Sequence, residues 1–131
     1  MIYLDTSAMV KLVVAEPESA ALIDWLNEHH DVPLATSVIG RIELLRTAMR
    51  AGSPATAAAR QLLDSFDGLI LTDEIVEQAA GLTPAELRTL DAIHLATAIV
   101  YRDSLTALCA YDRRLLEAAR AHNVPVVSPA G

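Results

Sequence analysis

The sequence has few of the residues on which several classes of protein depend. A single cysteine, Cys109, excludes an intramolecular disulfide, and its apolar neighbours in ALCAY favour a buried thiol over a catalytic one. No CxxC or HxxxH pattern occurs, so a zinc cage is not expected. No apolar run is long enough to span a bilayer, and the N-terminus carries Asp5 without a basic lead-in, unlike a signal peptide. We therefore expect a cytoplasmic protein without a membrane segment.

Positive charge and aromatic side chains are also scarce. The formal net charge is −7, and aromatic residues make up 4% of the chain. A typical nucleic-acid-binding protein relies on an excess of Lys and Arg to displace counterions from phosphates, and often on aromatic rings that stack on bases. If this chain acts on nucleic acid, bound metal ions or arginines gathered on one face must supply positive charge locally.

The remaining composition is that of a folded globular chain. Of the 131 residues, 53% are hydrophobic and 21% are charged, which suits one domain over residues 1–131 with a single core. Short apolar runs alternate with helical patterns, which predicts an α/β fold with a parallel sheet. The runs are continuously apolar, as expected of strands covered by helices on both faces. In chain order the five predicted strands are MIYL, DVPLAT, GLILT, LTALCAY and VPVVS.

Several helix boundaries can also be predicted. The pattern SVIGRIELLRTAMRAG predicts a helix that ends at Gly52, after which Ser53 is the expected N-cap of the next helix and Pro54 its first residue. Asp73 is the expected cap after the third strand. The stretch PAELRTLDAIHLATAIVYRD predicts a long helix from about residue 86 to residue 103.

Four acidic residues converge on the carboxyl edge of the predicted sheet. Asp5 directly follows the first strand, and Asp112 directly follows the fourth. Glu43 lies in the first two turns of the helix after the second strand. Asp91 lies near the start of the long helix, which runs antiparallel to the strands and therefore begins at the same edge. In sheets of this kind, ligands bind outside the carboxyl ends of the strands.

Each acid taken alone also has a purely structural explanation. Asp5 and Asp112 are each placed to cap the helix that follows. Asp91 would interact favourably with the dipole at the start of its helix, and Glu43 has pairing partners on its own helix surface in Arg46 and Thr47. These explanations stay open for each residue considered singly.

The joint pattern of the acids points to a bound cation. Glu43 and Asp91 lie among apolar neighbours, in VIGRIELL and LDAIHLA, where a carboxylate must be paired, protonated or metal-bound. Two carboxylates about 4 Å apart repel each other by roughly 4 kcal/mol at an effective dielectric constant of about 20. A cluster of them therefore needs a cation, and all-oxygen ligands suit Mg²⁺ or Mn²⁺.

Four segments carry a family resemblance. YLDTSAMVKL, TSVIGRIELLR, LRTLDAIHLATA and YDRRLLEAA resemble, in order along essentially the whole chain, the PIN-domain nucleases, and in particular the VapC toxins of bacterial VapBC toxin–antitoxin modules. The resemblance implies a three-layer α/β/α PIN-like domain with a five-stranded parallel sheet. It also implies a Mg²⁺- or Mn²⁺-dependent endoribonuclease toxin that cleaves RNA phosphodiester bonds, forms a homodimer and is neutralised by a cognate VapB-type antitoxin.

The resemblance assigns the four acids to catalysis and metal binding. In chain order the family's acids fall on Asp5, Glu43, Asp91 and Asp112. The first three are expected to hold one ion, directly or through water, and Asp112 to complete that site or a second one. A helper hydroxyl after the first acid falls on Thr6 or Ser7. The family often has Thr or Ser two residues before the fourth acid, where this sequence has Ala110, so the role of Asp112 is the least defined.

Other residues have supporting roles in this hypothesis. His94, one turn after Asp91, is a candidate general base, but we favour a hydrogen-bonded packing residue because the metal already supplies an activated water. Residues 37–66 are a candidate partner surface. Arginines are expected to hold the RNA backbone, since the overall charge will not. The candidates are Arg41, Arg46, Arg50, Arg88 and Arg113.

Two other functions compete with the nuclease interpretation. A phosphatase or receiver domain also places an aspartate after its first strand. The phosphatase would need a second aspartate where Ser7 stands, and the receiver a late lysine, whereas Lys11 is the only lysine. The alternative is a catalytically weak PIN-like binding module that acts mainly in a toxin–antitoxin promoter complex. Titration with Mg²⁺ or Mn²⁺ separates the nuclease from the binding module, because a module without a metal site shows neither metal-induced stabilisation nor RNA cleavage.

Overall fold

Five short parallel strands form the centre of the computed structural model, which describes all residues from 1 to 131. The strands are β1 (Ile2–Leu4), β2 (Leu34–Ser37), β3 (Asp67–Leu69), β4 (Ala107–Cys109) and β5 (Val126–Val127). The helices are α1 (Thr6–Lys11), α2 (Ser19–Glu28), α3 (Val38–Ala51), α4 (Ser53–Asp64), α5 (Asp73–Ala80), α6 (Thr89–Val100) and α7 (Arg113–Ala121), with a 3-10 turn at Arg102–Ser104. None of the helices is long and apolar enough to cross a membrane. The predicted α/β/α fold class is confirmed.

The order of the strands creates a crevice beside β1. Across the sheet the order is β3-β2-β1-β4-β5, and every pairing is parallel. The chain therefore builds outward from β1 to β3, and then returns to the other side of β1 for β4 and β5. Such a reversal separates the loops that leave β1 and β4 at their carboxyl ends, which is where open α/β sheets bind ligands. Asp5 and Asp112 lie in these two loops.

Two apolar clusters cover the two faces of the sheet, which produces the three layers. Neighbouring side chains of a strand point to opposite faces. In β1, Tyr3 joins the cluster formed with α6 and α7, whereas Ile2 and Leu4 join the cluster formed with α1 to α4. All three side chains are fully buried. Burial of an aliphatic side chain of this size stabilises the fold by about 1.5–3 kcal/mol, so β1 is anchored firmly on both sides and fixes the position of Asp5.

The third strand lies earlier in the chain than predicted. The run GLILT predicts a strand over residues 68–72, but β3 is Asp67–Leu69. It pairs only with β2, which ends at Ser37 because α3 begins at the next residue. Ile70 and Leu71 therefore have no strand to pair with, and 65% and 39% of their surfaces are exposed.

The helix that carries Asp91 is shorter than predicted, although Asp91 keeps its place near the start. It begins at Thr89 and ends at Val100, because Arg88 has an extended backbone conformation and Tyr101 leaves helical geometry. Asp91 thus lies in the first turn of α6.

Two predicted helix caps are wrong by one residue. The N-cap position of α4 is Gly52, and Ser53 is already helical, next to Pro54 in the first turn. The cap of α5 is Thr72, whose extended backbone lets its hydroxyl accept a hydrogen bond from the Ile75 N–H at 3.2 Å. Asp73 instead lies in the first turn, where a carboxylate also interacts favourably with the helix dipole.

Candidate active site

The four predicted site acids lie around the carboxyl ends of β1 and β4. Asp5 and Asp112 are the N-cap residues of α1 and α7. Glu43 is in the second turn of α3, and Asp91 is in the first turn of α6. Asp91 is close enough to the other three acids for electrostatic repulsion between them to affect pKa values. The structure therefore gathers the four acids in one region, and their roles in catalysis and metal binding stay a prediction.

Asp5 is a buried carboxylate with one oxygen left free. Only 3% of its surface is exposed. Its Oδ1 accepts hydrogen bonds from the Ser7 hydroxyl at 2.6 Å and from the Ala8 N–H at 3.0 Å, while Oδ2 accepts none from the protein. Burial raises the pKa of Asp5 to about 6, although His94 and these hydrogen bonds oppose the rise. Asp5 thus caps α1 with one oxygen, and the other remains available to a ligand.

Glu43 is held by partners from other helices and not by neighbours on α3. Its Oε1 accepts hydrogen bonds from the Thr6 hydroxyl and from His94 Nε2, both at 2.7 Å. Burial by itself raises the pKa of Glu43, but the hydrogen bonds from His94 and Thr6 outweigh it and lower the pKa below its usual range. Pairing with Arg46 or Thr47 does not occur. Glu43 is therefore an ionised carboxylate with one fixed oxygen and one oxygen without a protein donor.

Asp91 and Asp112 share one arginine. Arg88 Nη2 donates to Asp112 Oδ2 at 3.2 Å, and Arg88 Nε lies 3.6 Å from Asp91 Oδ2. Burial and the charge of Asp112 raise the pKa of Asp91, and Arg88 opposes the rise. The other oxygen of Asp112, Oδ1, caps α7 by accepting from the Leu115 N–H at 3.1 Å. Both oxygens of Asp112 thus already have protein partners, in agreement with its less defined role.

His94 and Tyr3 form a buried pair behind Glu43. The Tyr3 hydroxyl and His94 Nδ1 are hydrogen-bonded at 2.6 Å, and the exposed fractions of the two residues are 0% and 1%. Burial alone would lower the pKa of His94, but Tyr3, the hydrogen bond to Glu43 and the charge of Asp5 raise it to about 10. The structure agrees with a hydrogen-bonded packing role for His94.

Tyr3 is the residue of this region that sequence reasoning missed. A tyrosine in a buried strand needs a partner for its hydroxyl. A histidine in an otherwise apolar helix has the same need for its ring nitrogens. The tyrosine in MIYL and the histidine in LDAIHLA each require a hydrogen-bond partner. That shared requirement could have predicted a contact between them.

The donor set fits a hard divalent cation, although it is not a closed cage. No three His, Cys, Asp or Glu side chains are arranged to hold one metal ion directly. Asp5, Glu43 and Asp91 nevertheless each keep at least one carboxylate oxygen that accepts no hydrogen bond from the protein. Mg²⁺ usually retains several waters and takes only one or two protein carboxylates directly. An ion here would therefore be held partly through water.

Among the five candidate arginines, Arg88 is the one that contacts the acids. Arg41 donates to the Leu63 carbonyl oxygen at 3.4 Å, and Arg50 donates to the Thr47 hydroxyl at 3.3 Å. Arg46 and Arg113 are exposed, and Arg113 is near the site because it directly follows Asp112.

An apolar cavity of about 570 Å³ lies between α5 and α6, and none of the four acids lines it.

Comparison with known proteins gives consistent matches. Residues 2–127 match the family model described as PIN domain. Ribonuclease VapC47 of Mycobacterium tuberculosis is 46% identical over 132 aligned residues, which cover 98% of this chain and 97% of the relative. The structure of VapBC2 from Rickettsia felis bound to a promoter DNA fragment is similar with a TM-score of 0.78 at 15% identity, covering 98% and 99% of the two chains. That of Mycobacterium tuberculosis VapC20, described as a sarcin-ricin loop cleaving toxin, has a TM-score of 0.74 at 20% identity and covers 98% and 100%. At such identities the two structures show the fold alone.

Proposed function

Because the chain belongs to the PIN-domain family, we propose that residues 1–131 form one nuclease domain, a metal-dependent endoribonuclease toxin that acts on RNA in the cytoplasm. The observation that carries this proposal is the buried Asp5 carboxylate between β1 and β4, with Glu43 and Asp91 beside it. Support comes from the relative at 46% identity, whose name is that of a ribonuclease.

In this proposal Asp5, Glu43 and Asp91 hold Mg²⁺ or Mn²⁺, directly or through water, and Asp112 completes that site or a second one. When bound, the ion lowers the pKa of a water molecule and neutralises charge that builds up on the RNA phosphate. Asp5 is suited to this role because its buried carboxylate forms no salt bridge in the protein and its Oδ2 accepts no hydrogen bond, so a cation can satisfy it.

The chain's own residues orient the acids and bind the RNA. The Ser7 hydroxyl fixes Asp5, and the Thr6 hydroxyl fixes Glu43, so both candidate helper hydroxyls contact a site carboxylate. Arg88 is suited to the RNA phosphate, because its side chain is 70% exposed and already lies beside two of the acids. With a net charge of −7, the chain needs such a local cation to approach RNA.

The antitoxin and the homodimer belong to the same proposal. A VapB-type antitoxin is the expected inhibitor, supported by the similarity to the VapBC2 complex. A second copy of the chain is expected to cover exposed apolar side chains, since exposed apolar surface often marks an interface. The large hydrophobic side chains exposed outside α2 are Ile42, Met49, Ile70, Leu71, Val76 and Leu90. We expect Met49→Glu to convert the dimer to a monomer in light scattering, whereas Ile23→Glu, on α2 and outside this set of residues, leaves it dimeric.

RNA cleavage by purified variants tests the nuclease proposal. Wild-type protein is expected to cleave RNA with Mg²⁺ or Mn²⁺ and to lose the activity in EDTA, while Asp5→Asn and Asp91→Asn lose at least about 100-fold of it. Asp24→Asn is the matched control, because Asp24 is exposed on α2 and makes no hydrogen bond or ion pair. Full activity of Asp5→Asn or Asp91→Asn would reject the assignment. Absence of both cleavage and metal-induced stabilisation in wild type would favour the binding-module alternative.

A further inference from the structure

We propose that Tyr3 and His94 are positioning residues that hold the Glu43 carboxylate in place for the metal ion and do not themselves touch RNA. This inference rests on the proposed nuclease function. It assigns a task to two buried polar side chains that the proposed mechanism otherwise leaves unused.

The three residues form a continuous hydrogen-bonded chain across the molecule. Tyr3 on β1 contacts His94 on α6 at 2.6 Å, and His94 contacts Glu43 on α3 at 2.7 Å. The Tyr3 hydroxyl also accepts a hydrogen bond from the Ser37 N–H at 3.3 Å, and Ser37 is the N-cap of α3. Tyr3 is therefore linked to α3 in two ways. It contacts the N-cap residue directly, and it contacts His94, which in turn contacts Glu43.

The direction of the last hydrogen bond is fixed by chemistry. Glu43 Oε1 accepts from the Thr6 hydroxyl and, as a carboxylate oxygen, can only accept, so His94 Nε2 must carry the hydrogen. This holds whether Nδ1 is protonated or not, because Nδ1 faces Tyr3. His94 Nε2 and the Thr6 hydroxyl both donate to Oε1 of Glu43, which leaves Oε2 as the oxygen that an ion or its water can use.

Fixing one oxygen matters because a glutamate side chain is flexible. A partly buried glutamate still loses rotamer freedom when it binds a ligand, and a partner that orders it beforehand removes part of that cost. Hydrogen-bonding partners behind metal-binding side chains typically change metal affinity or activity by about 10- to 100-fold when removed. Tyr3 and His94 are suited to such a role because both are fully enclosed and cannot adopt alternative positions without breaking the core.

A glycine in α3 permits this arrangement. A Cβ atom added to Gly40 would collide with Thr36 Oγ1 and would lie 3.2 Å from His94 Cε1. The first turn of α3 therefore packs directly on the imidazole ring, which places Glu43, in the next turn, within reach of Nε2. The close approach is specific to glycine.

Tyr3→Phe tests the proposal, because it removes one hydroxyl and keeps the ring. The readout is the affinity of the metal-free protein for Mn²⁺, measured from the electron paramagnetic resonance signal of unbound Mn²⁺. We expect about tenfold weaker binding in the wild-type background and no further weakening in the Glu43→Gln background, since the effect passes through the carboxylate. Equal losses in the two backgrounds, or no loss in the wild-type background, would overturn the proposal.

Controls separate positioning from general damage. Tyr111→Phe also removes a hydroxyl that is hydrogen-bonded, to the Pro129 carbonyl oxygen at 2.7 Å, and is expected to leave Mn²⁺ affinity unchanged. His94→Gln keeps an N–H donor on the same helix position and should retain more affinity than His94→Leu. This comparison decides the question if Tyr3→Phe does not fold, because equal losses in both His94 variants would also overturn the proposal.

The outcome distinguishes this inference from the function on which it rests. If wild-type protein binds no Mn²⁺ and cleaves no RNA, the proposed function fails. If wild type binds Mn²⁺ and cleaves RNA while Tyr3→Phe binds Mn²⁺ equally well, only the positioning role fails.

Discussion

Replacing Asp5 by asparagine should make the metal-free protein more resistant to unfolding at alkaline pH, even though it removes a site residue. Asp5 is almost completely buried, and its carboxylate lacks a direct cation partner when no metal is bound. Asparagine is an equally good N-cap, and its Oδ1 can accept the same hydrogen bonds from Ser7 and Ala8. The substitution therefore removes a buried charge and keeps its local contacts.

The size of the effect follows from the pKa of Asp5. Burial raises this pKa from 3.8 to about 6. Because the pKa is higher in the folded chain, ionisation weakens the fold: the loss is small near pH 4, grows as pH rises and is complete above about pH 6 to 7. At about 1.36 kcal/mol per pKa unit, the full loss is about 3 kcal/mol. A buried asparagine N–H₂ without a partner costs about 1–3 kcal/mol at every pH, so the net gain at pH 8 is expected to be about 0–2 kcal/mol.

Urea unfolding in EDTA at pH 4, 6 and 8 measures this effect. The difference in unfolding free energy between Asp5→Asn and wild type should rise by about 2 to 3 kcal/mol from pH 4 to pH 8, because the cost of the amide cancels in this comparison. Asp24→Asn on α2 controls for loss of an exposed charge. A difference that stays constant with pH, or falls as pH rises, would refute the reasoning about Asp5. Saturating Mg²⁺ should stabilise wild type and leave Asp5→Asn nearly unchanged.

Three further predictions concern packing, RNA binding and reactivity. Gly40→Ala should destabilise the protein by about 1–3 kcal/mol in urea unfolding, since the added methyl collides with the buried side chain of Thr36; an unchanged midpoint would contradict this packing. Arg88→Gln should change stability by about 1 kcal/mol or less, because the Arg88 side chain is 70% exposed, yet raise the KM for RNA several-fold; an unchanged KM would remove Arg88 from the RNA site. Cys109 should resist thiol reagents until the chain unfolds, because burial raises the pKa of its thiol to about 12; fast labelling of folded protein would show otherwise.

The topological part of the site was predictable because it depends on chain order and not on detail. An apolar strand followed by an acid places that acid at the carboxyl edge of a parallel sheet, whatever the length of the strand. This is why Asp5 and Asp112 were located correctly, and why Asp91 kept its place although its helix starts at Thr89.

Element boundaries were less predictable because partners set them. β3 stops at Leu69 since β2 has already given way to α3, and no local property of GLILT carries that information. The cap of α5 is Thr72 and not the predicted Asp73 for a similar reason. The backbone geometry of the turn decides which side chain reaches the free N–H groups.

What the sequence by itself determined is the order of the elements, the apolar character of the strands and the edge at which the four acids meet. Only the tertiary structure decided which partners each acid has. The pairing of Glu43 with His94 and Thr6, the Tyr3 hydroxyl behind His94, and the placement of Arg88 between Asp91 and Asp112 join residues from four different parts of the chain. Hydrogen bonds act over about 3 Å, and distances of that size are set by how helices pack on the sheet, which no local pattern of residues specifies.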